Sequence, residues 1–270
     1  MTGLIACARM YAMVPGAAEA WRVLFAGVAV RSGIRLDVID HAFPAPLIEL
    51  WTRPDLGCAF MCGWPFVRGV ADVVPVAAPV LADARAAGRP VYWTDLVVRT
   101  DSAACGIENL RGQRVAYTVR DSQSGFNALR HHLRGIPGAK PLFGAEVGPV
   151  FTPRRAIEAV VDRRAHAAPI DSIAHALLRL HDPALAVQVR VVAQTEATAA
   201  PLLVAGVGAD PGAVRALRTA LLGLHQDAEG RAVLARLALR RFTEPLPHAE
   251  YHVMEDRARD AEAAGIDGLE

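Results

Sequence analysis

Short apolar runs recur along the chain between segments whose apolar positions are spaced three and four apart, and these two periods alternate through most of its length. Leu4 to Ala8 predicts a first strand, Pro15 and Gly16 a turn, and Ala17 to Arg31 an amphipathic helix stopped by Ser32 and Gly33. Ile34 to Ile39 returns as a strand, followed by a short helix over Leu47 to Trp51 and strands over Cys58 to Met61, Val73 to Ala77 and Val91 to Val98. From Ile107 the series restarts: strand Arg114 to Val119, helix Ser124 to Leu133, strand Val147 to Phe151 and helix Pro153 to Asp162. Strand Ala165 to Ile170 and helix Ser172 to Leu180 continue it, then strands Val187 to Ala193 and Leu202 to Gly206. Pro211 to Ala238 reads as helical, with no new strand, packing back on the first half. Strands alternating with helices predict an α/β protein whose parallel sheets are covered on both faces.

A chain of 270 residues suffices for one large domain or two ordinary ones. No Gly/Ser-rich linker divides it, so two lobes would be joined by strands rather than a loose tether. The expected division is residues 1–94 plus 198–270 as one lobe and 95–197 as an inserted second lobe. Hinge strands are expected near 91–98 and 195–201.

Apolar residues make up 53% of the chain and charged residues 21%, which argues against disorder and against a coiled coil. A formal net charge of +1 supplies no general field for nucleic acid or an anionic membrane, so neither partner is expected. The most apolar stretch, Val23 to Val30, is too short to cross a bilayer and is flanked by Arg22 and Arg31. The opening residues show no basic segment ahead of an apolar one and so do not read as a signal peptide. Either a leader is missing or the protein is cytoplasmic. Cys7, Cys58, Cys62 and Cys105 are too few and scattered for a disulfide framework, and the Cys58/Cys62 pair lacks the further ligands a structural zinc needs. Free thiols and no metal are expected.

The segment Tyr117 to Asn127, YTVRDSQSGFN, runs from a strand through a polar turn into a helix. The first amides of a helix have no intrahelical acceptors and lie at the positive end of its dipole. With the hydroxyls of Ser122 and Ser124 they form an anion cradle, and Gly125 lets a ligand approach the backbone. The same serines also read as plain helix caps. Asp171 and Ser172 follow a strand and open a helix, at the carboxyl edge of a sheet where open α/β folds bind ligands; a capping role for Asp171 is the competing reading. The turn DSQSG lacks the G-x-S-x-G pattern of a nucleophile elbow, and no spacing brings His131, His132, His166, His175 or His181 to the serines. HExxH, GxxxxGK[ST] and GxGxxG are absent. No catalytic residue and no cofactor is expected.

Four segments in order carry a family resemblance: CGWPF at Cys62 to Phe66, VVRTDSAACGIENLRGQRVAYTVRDSQSGFNALR at Val97 to Arg130, RRAIEAVVDRRAHAAPIDS at Arg154 to Ser172, and LHQDAEGRAVLARLALRRFTEPLPHAEY at Leu224 to Tyr251. Together they resemble the phosphate, phosphite and phosphonate binding proteins of ABC importers. The resemblance implies a two-lobed clamshell of the type 2 periplasmic binding protein kind, each lobe a mostly parallel sheet flanked by helices, with a small anionic ligand held between lobes. It places the ligand's head on Ser122, Gln123, Ser124 and Gly125 and a ligand-facing carboxylate at Asp171. Gln123 stands where many relatives carry a small hydroxyl residue, which leaves a larger organic acid as compatible as a phosphonate. Pro153 stands where the family often carries a histidine, so one anion donor is missing, and Thr152 just before it is expected to substitute. Tyr11 and Trp64, in loops at strand ends, are expected to wall the ligand, although lone aromatics beside Pro or Gly are more often packing. Tyr92 and Thr94 alternate on one strand and are expected to share a face. The resemblance further implies a monomer that delivers its ligand to an ABC permease from the periplasm. Its rivals are a leaderless cytoplasmic enzyme on the same fold, of the chorismate dehydratase type, and a ligand sensor.

Overall fold

β-Branched and small apolar residues dominate the strands, because such side chains fill a sheet buried on both faces. The structure is a computed structural model that describes residues 3–136, 138 and 142–270. In chain order the strands are β1 (Leu4–Cys7), β2 (Leu36–Val38), β3 (Leu56–Met61), β4 (Val73–Leu81), β5 (Val91–Tyr92), β6 (Thr94–Arg99) and β7 (Arg114–Ala116). They continue as β8 (Ala145–Val147), β9 (Ala167–Asp171), β10 (Val189–Gln194), β11 (Thr198–Ala199), β12 (Leu202–Gly206) and β13 (Leu239–Thr243). The chain forms two units, one of Met1–Val91 with Ala199–His248, the other of Tyr92–Thr198 with Ala249–Glu270.

The first unit is built on a six-stranded sheet of order β13-β4-β12-β3-β1-β2. β1 is parallel to β2 and β3, whereas β12 is antiparallel to both β3 and β4, and β13 is antiparallel to β4. Its helix Pro15–Ser32 ends at Gly33, whose φ of 68° is the left-handed conformation that glycine adopts without a Cβ clash. The helix lays Trp21 against Phe60 at a centroid distance of 5.0 Å, and Trp51 Nε1 donates to the Phe60 carbonyl at 2.9 Å. These contacts make the aromatic part of this unit's core.

The second unit holds a five-stranded sheet of order β10-β6-β9-β7-β8. β7 is parallel to β8 and β9, and β6 is antiparallel to β9 and β10. Helices Pro153–Val161 and Ser172–His181 flank β9 in the chain, and the apolar core gathers Leu96, Val98, Val115, Tyr117, Phe126, Leu129 and Leu133.

Three expectations need correction. The sheets are mixed rather than mostly parallel, because β12 is inserted between β3 and β4 in the opposite sense and β6 opposes both neighbours. The strand expected over Val91 to Val98 is interrupted at Trp93, so Tyr92 and Thr94 do not alternate along one strand. Residues Ala249–Glu270, expected with the first lobe, belong to the second unit, because Ala261, Ile266 and Leu269 enter the core around Phe126 and Leu129.

Candidate functional site

β7 ends at Ala116, and the chain then turns through Tyr117 to Asp121 into a helix start. Ser122 is the residue before the helix; its Oγ accepts from the Gly125 amide at 2.9 Å, so it is a cap. Residues Gln123–Asn127 form a single π-helical turn, closed by the Asn127 amide on the Ser122 carbonyl at 3.0 Å, and only then does the α-helix Ala128–Leu133 begin. Isolated π turns inside helices recur at functional sites. The backbone of Gly125 passes so close to Thr118 that a Cβ there would stand 1.9 Å from Thr118 Oγ1. A glycine is what this approach requires.

Thr94 on β6 and Asp171 on β9 are direct register partners. Thr94 Oγ1 donates to the Ser124 carbonyl at 2.9 Å, and Ser124 Oγ donates to Asp171 Oδ2 at 3.4 Å. Asp171 Oδ1 accepts from the amides of Ile173 and Ala174 at 2.7 and 3.0 Å, capping the helix Ser172–His181. The three residues therefore form one buried network in which Asp171 caps with one oxygen and meets Ser124 with the other. Two polar atoms beside it, Thr118 Oγ1 and Gln123 Oε1, are buried and hydrogen-bond to no other described residue. An unsatisfied buried polar atom costs about 1–3 kcal/mol, and such atoms in a folded protein call for a partner. Neutral hydroxyls, an amide and helix-start N–H groups can hold an oxyanion, while Asp171 and the Gln123 carbonyl can accept from a ligand hydroxyl or ammonium.

The remaining expected residues divide. Thr152 precedes helix Pro153–Val161 and its Oγ1 accepts from the Arg155 amide at 3.2 Å, so it serves as a cap. Its segment is tied to the turn, since the Val150 and Phe151 amides donate to the Tyr117 and Thr118 carbonyls at 3.0 and 2.9 Å. Tyr92 is buried in β5. Tyr11 and Trp64 lie in the first unit. The Tyr11 ring is buried, stacked on Trp21 at 6.4 Å and edge-on to Phe60 at 4.8 Å. Trp64 is half-buried under the Arg68 guanidinium, 5.4 Å from its ring centroid. Thr118 escaped the sequence reading; its one signal is a hydroxyl four positions before Ser122 at the end of a strand run.

A second buried cluster lies on the same sheet. Asp95 Oδ2 is 2.7 Å from His175 Nδ1, and Asp95 Oδ1 accepts from Trp93 Nε1 at 3.0 Å and Gln194 Nε2 at 2.7 Å. Burial by itself raises the Asp95 pKa, but the hydrogen bonds from His175 and Gln194 and the charges of His175 and Arg179 outweigh it and hold the carboxyl below its ordinary value. Among the described residues no group of His, Cys, Asp and Glu is arranged to hold a metal, and no helix is long and apolar enough to cross a membrane.

No curated protein sequence matches the chain. Its fold is similar to a binding protein component of an ABC phosphonate transporter from Pseudomonas aeruginosa, with a TM-score of 0.81 at 16% identity over 97% of this chain and 87% of that one. PhnD1 from Prochlorococcus marinus, solved in complex with methylphosphonate, matches with a TM-score of 0.79 at 14% identity over 96% and 98%. A Xanthomonas citri protein bound to ATP matches with a TM-score of 0.68 at 17% identity over the whole of both chains. At these identities the likeness establishes the fold, that of type 2 periplasmic binding proteins. The sequence pattern of the phosphonate ABC transporter periplasmic substrate-binding proteins matches residues 17–251, and the chain belongs to that family.

Proposed function

We propose that the protein captures a small phosphonate-like oxyanion for an ABC importer and holds the ligand's head at the turn Ser122 to Gly125. The observation that carries this reading is the pair of unsatisfied buried atoms, Thr118 Oγ1 and Gln123 Oε1, beside the Thr94, Ser124 and Asp171 network. Buried polar atoms in folded proteins are as a rule partnered, and a ligand seated at the turn would supply the missing partners of these two. Asp171 disfavours a ligand that brings only negative oxygens and favours one with a hydroxyl or ammonium to donate. Thr152, whose segment is tied to this turn through the Val150 and Phe151 amides, contributes to the same ligand. The working unit is a monomer located in the periplasm, with a membrane permease as partner and no nucleic acid.

Titration calorimetry against methylphosphonate, phosphate, sulfate, a dicarboxylate and ATP tests the reading. Methylphosphonate or a related phosphonate should bind at least tenfold more tightly than sulfate, which carries no proton at neutral pH. Tightest binding to the dicarboxylate or to ATP would overturn it.

A further inference from the structure

Arg130 is a buried cation, 6% exposed, that lies outside the proposed head-group residues Ser122 to Gly125. Its Nε and Nη2 both donate to the Ile266 carbonyl, at 3.0 and 2.9 Å, and its Nη1 donates to Asn127 Oδ1 at 3.0 Å. Asn127 in turn spends its Nδ2 on the carbonyls of Arg120 and Ser122, at 3.2 and 3.3 Å, while its amide closes the π turn on Ser122. The fork thus reaches from the segment after helix His248–Ala263 to the two carbonyls that shape the start of the ligand turn. That segment is independently fixed: the Leu269 amide donates to Glu146 Oε1 at 2.8 Å, and Ile266 and Leu269 lie in the core with Phe126. The guanidinium also lies 5.7 Å from the Phe126 ring centroid, inside the same turn.

We infer that Arg130 is a positioning residue, which holds the oxyanion turn in its binding conformation by clamping Asn127 against the carbonyl of Ile266. The inference rests on the reading of Ser122 to Gly125 as the ligand's head-group site. A guanidinium suits this place because one planar fork serves two carbonyl-type acceptors in different directions and also pairs with the Glu262 carboxylate at 3.5 Å, which a lysine ammonium on a flexible stem does not reproduce. Preorganised donors bind more tightly than donors that must be ordered by the ligand.

The test is amide hydrogen exchange, resolved by segment, on the ligand-free full chain and its Arg130→Met, Arg130→Lys and Asn127→Ala variants. In all three, amides of residues 122–127 should exchange about tenfold faster, the scale of one lost charge-assisted hydrogen bond. Residues 264–269 should also speed up in the two Arg130 variants. Residues 167–178, in the same unit, should keep the parent's rate. The double variant Arg130→Met/Asn127→Ala should exchange no faster than the worse single one, because both break one bridge. Affinity for methylphosphonate should fall about tenfold in parallel. Unchanged exchange at 122–127, or equal acceleration at 167–178, would overturn the inference. A parent protein that ignores methylphosphonate while the exchange pattern holds would instead count against the ligand reading alone.

Discussion

Replacing Gly125 by alanine tests the geometry of the turn without touching a hydrogen-bonding group. A Cβ at this position would lie 1.9 Å from Thr118 Oγ1 and 3.0 Å from both Thr118 Cβ and Ser122 Oγ. Ordinary contacts need about 3.5 Å, so either the Thr118 side chain or the helix start must move by roughly 1.5 Å. Overpacking of this kind costs about 1–3 kcal/mol, while alanine in a helical position gains about 1 kcal/mol over glycine. In the parent background the net loss is therefore about 0–2 kcal/mol. In a Thr118→Ala background the closest clash is gone, only the 3.0 Å contacts remain, and the same substitution should become neutral or stabilising. Urea unfolding of the four proteins of this cycle gives the coupling directly, and a value of at least about 1 kcal/mol is expected. If Gly125→Ala had the same effect in both backgrounds, the close approach of Gly125 to Thr118 would be wrong.

Two further outcomes follow from the charge and burial of particular groups. Burial pushes the Cys58 thiol up to about 12, whereas Cys105 is exposed, so iodoacetamide at pH 8 should alkylate Cys105 in the native protein and reach Cys58 only in urea; equal rates at the two would contradict this. Asp95 has its pKa lowered in the folded state, so its contribution is present above the unfolded value of about 4 and is lost as pH falls through the lower folded value. The stability gap between the parent and Asp95→Asn should thus shrink below about pH 4; a gap that stays constant from pH 7 to 3 would refute the assignment.

Much of the first-order architecture is legible because it is written locally. The helix Leu47–Trp51 and the strand Leu202–Gly206 have the bounds their apolar runs predict, and Ser122 caps a helix because a hydroxyl before an amide-rich turn encodes that role on its own. Features that depend on distant partners were not legible. Period-2 patterning does not reveal strand direction, so the antiparallel insertion of β12 between β3 and β4 was hidden. β13 was obscured because Arg240 and Arg241 interrupt its apolar alternation, leaving only Leu239 and Phe242 buried. The π turn at Gln123–Asn127 depends on packing against Thr118, and the assignment of residues 249–270 to the second unit depends on small or isolated buried side chains such as Ala258, Ala261 and Ile266. In the candidate site, Thr94, Ser124 and Asp171 are brought together from positions 30 and 47 residues apart, a closure no local pattern contains.

Whether the unsatisfied hydroxyl of Thr118 serves a ligand is tested most directly by paired stability and binding measurements on Thr118→Val. Valine keeps the shape and removes the hydroxyl, so the buried, unpartnered atom and its cost of about 1–3 kcal/mol disappear. Urea unfolding of the ligand-free variant should show stability equal to or above the parent, while calorimetry with methylphosphonate should show affinity reduced by about tenfold or more. A variant that binds as tightly as the parent, or one that is destabilised in the absence of ligand, would contradict the account.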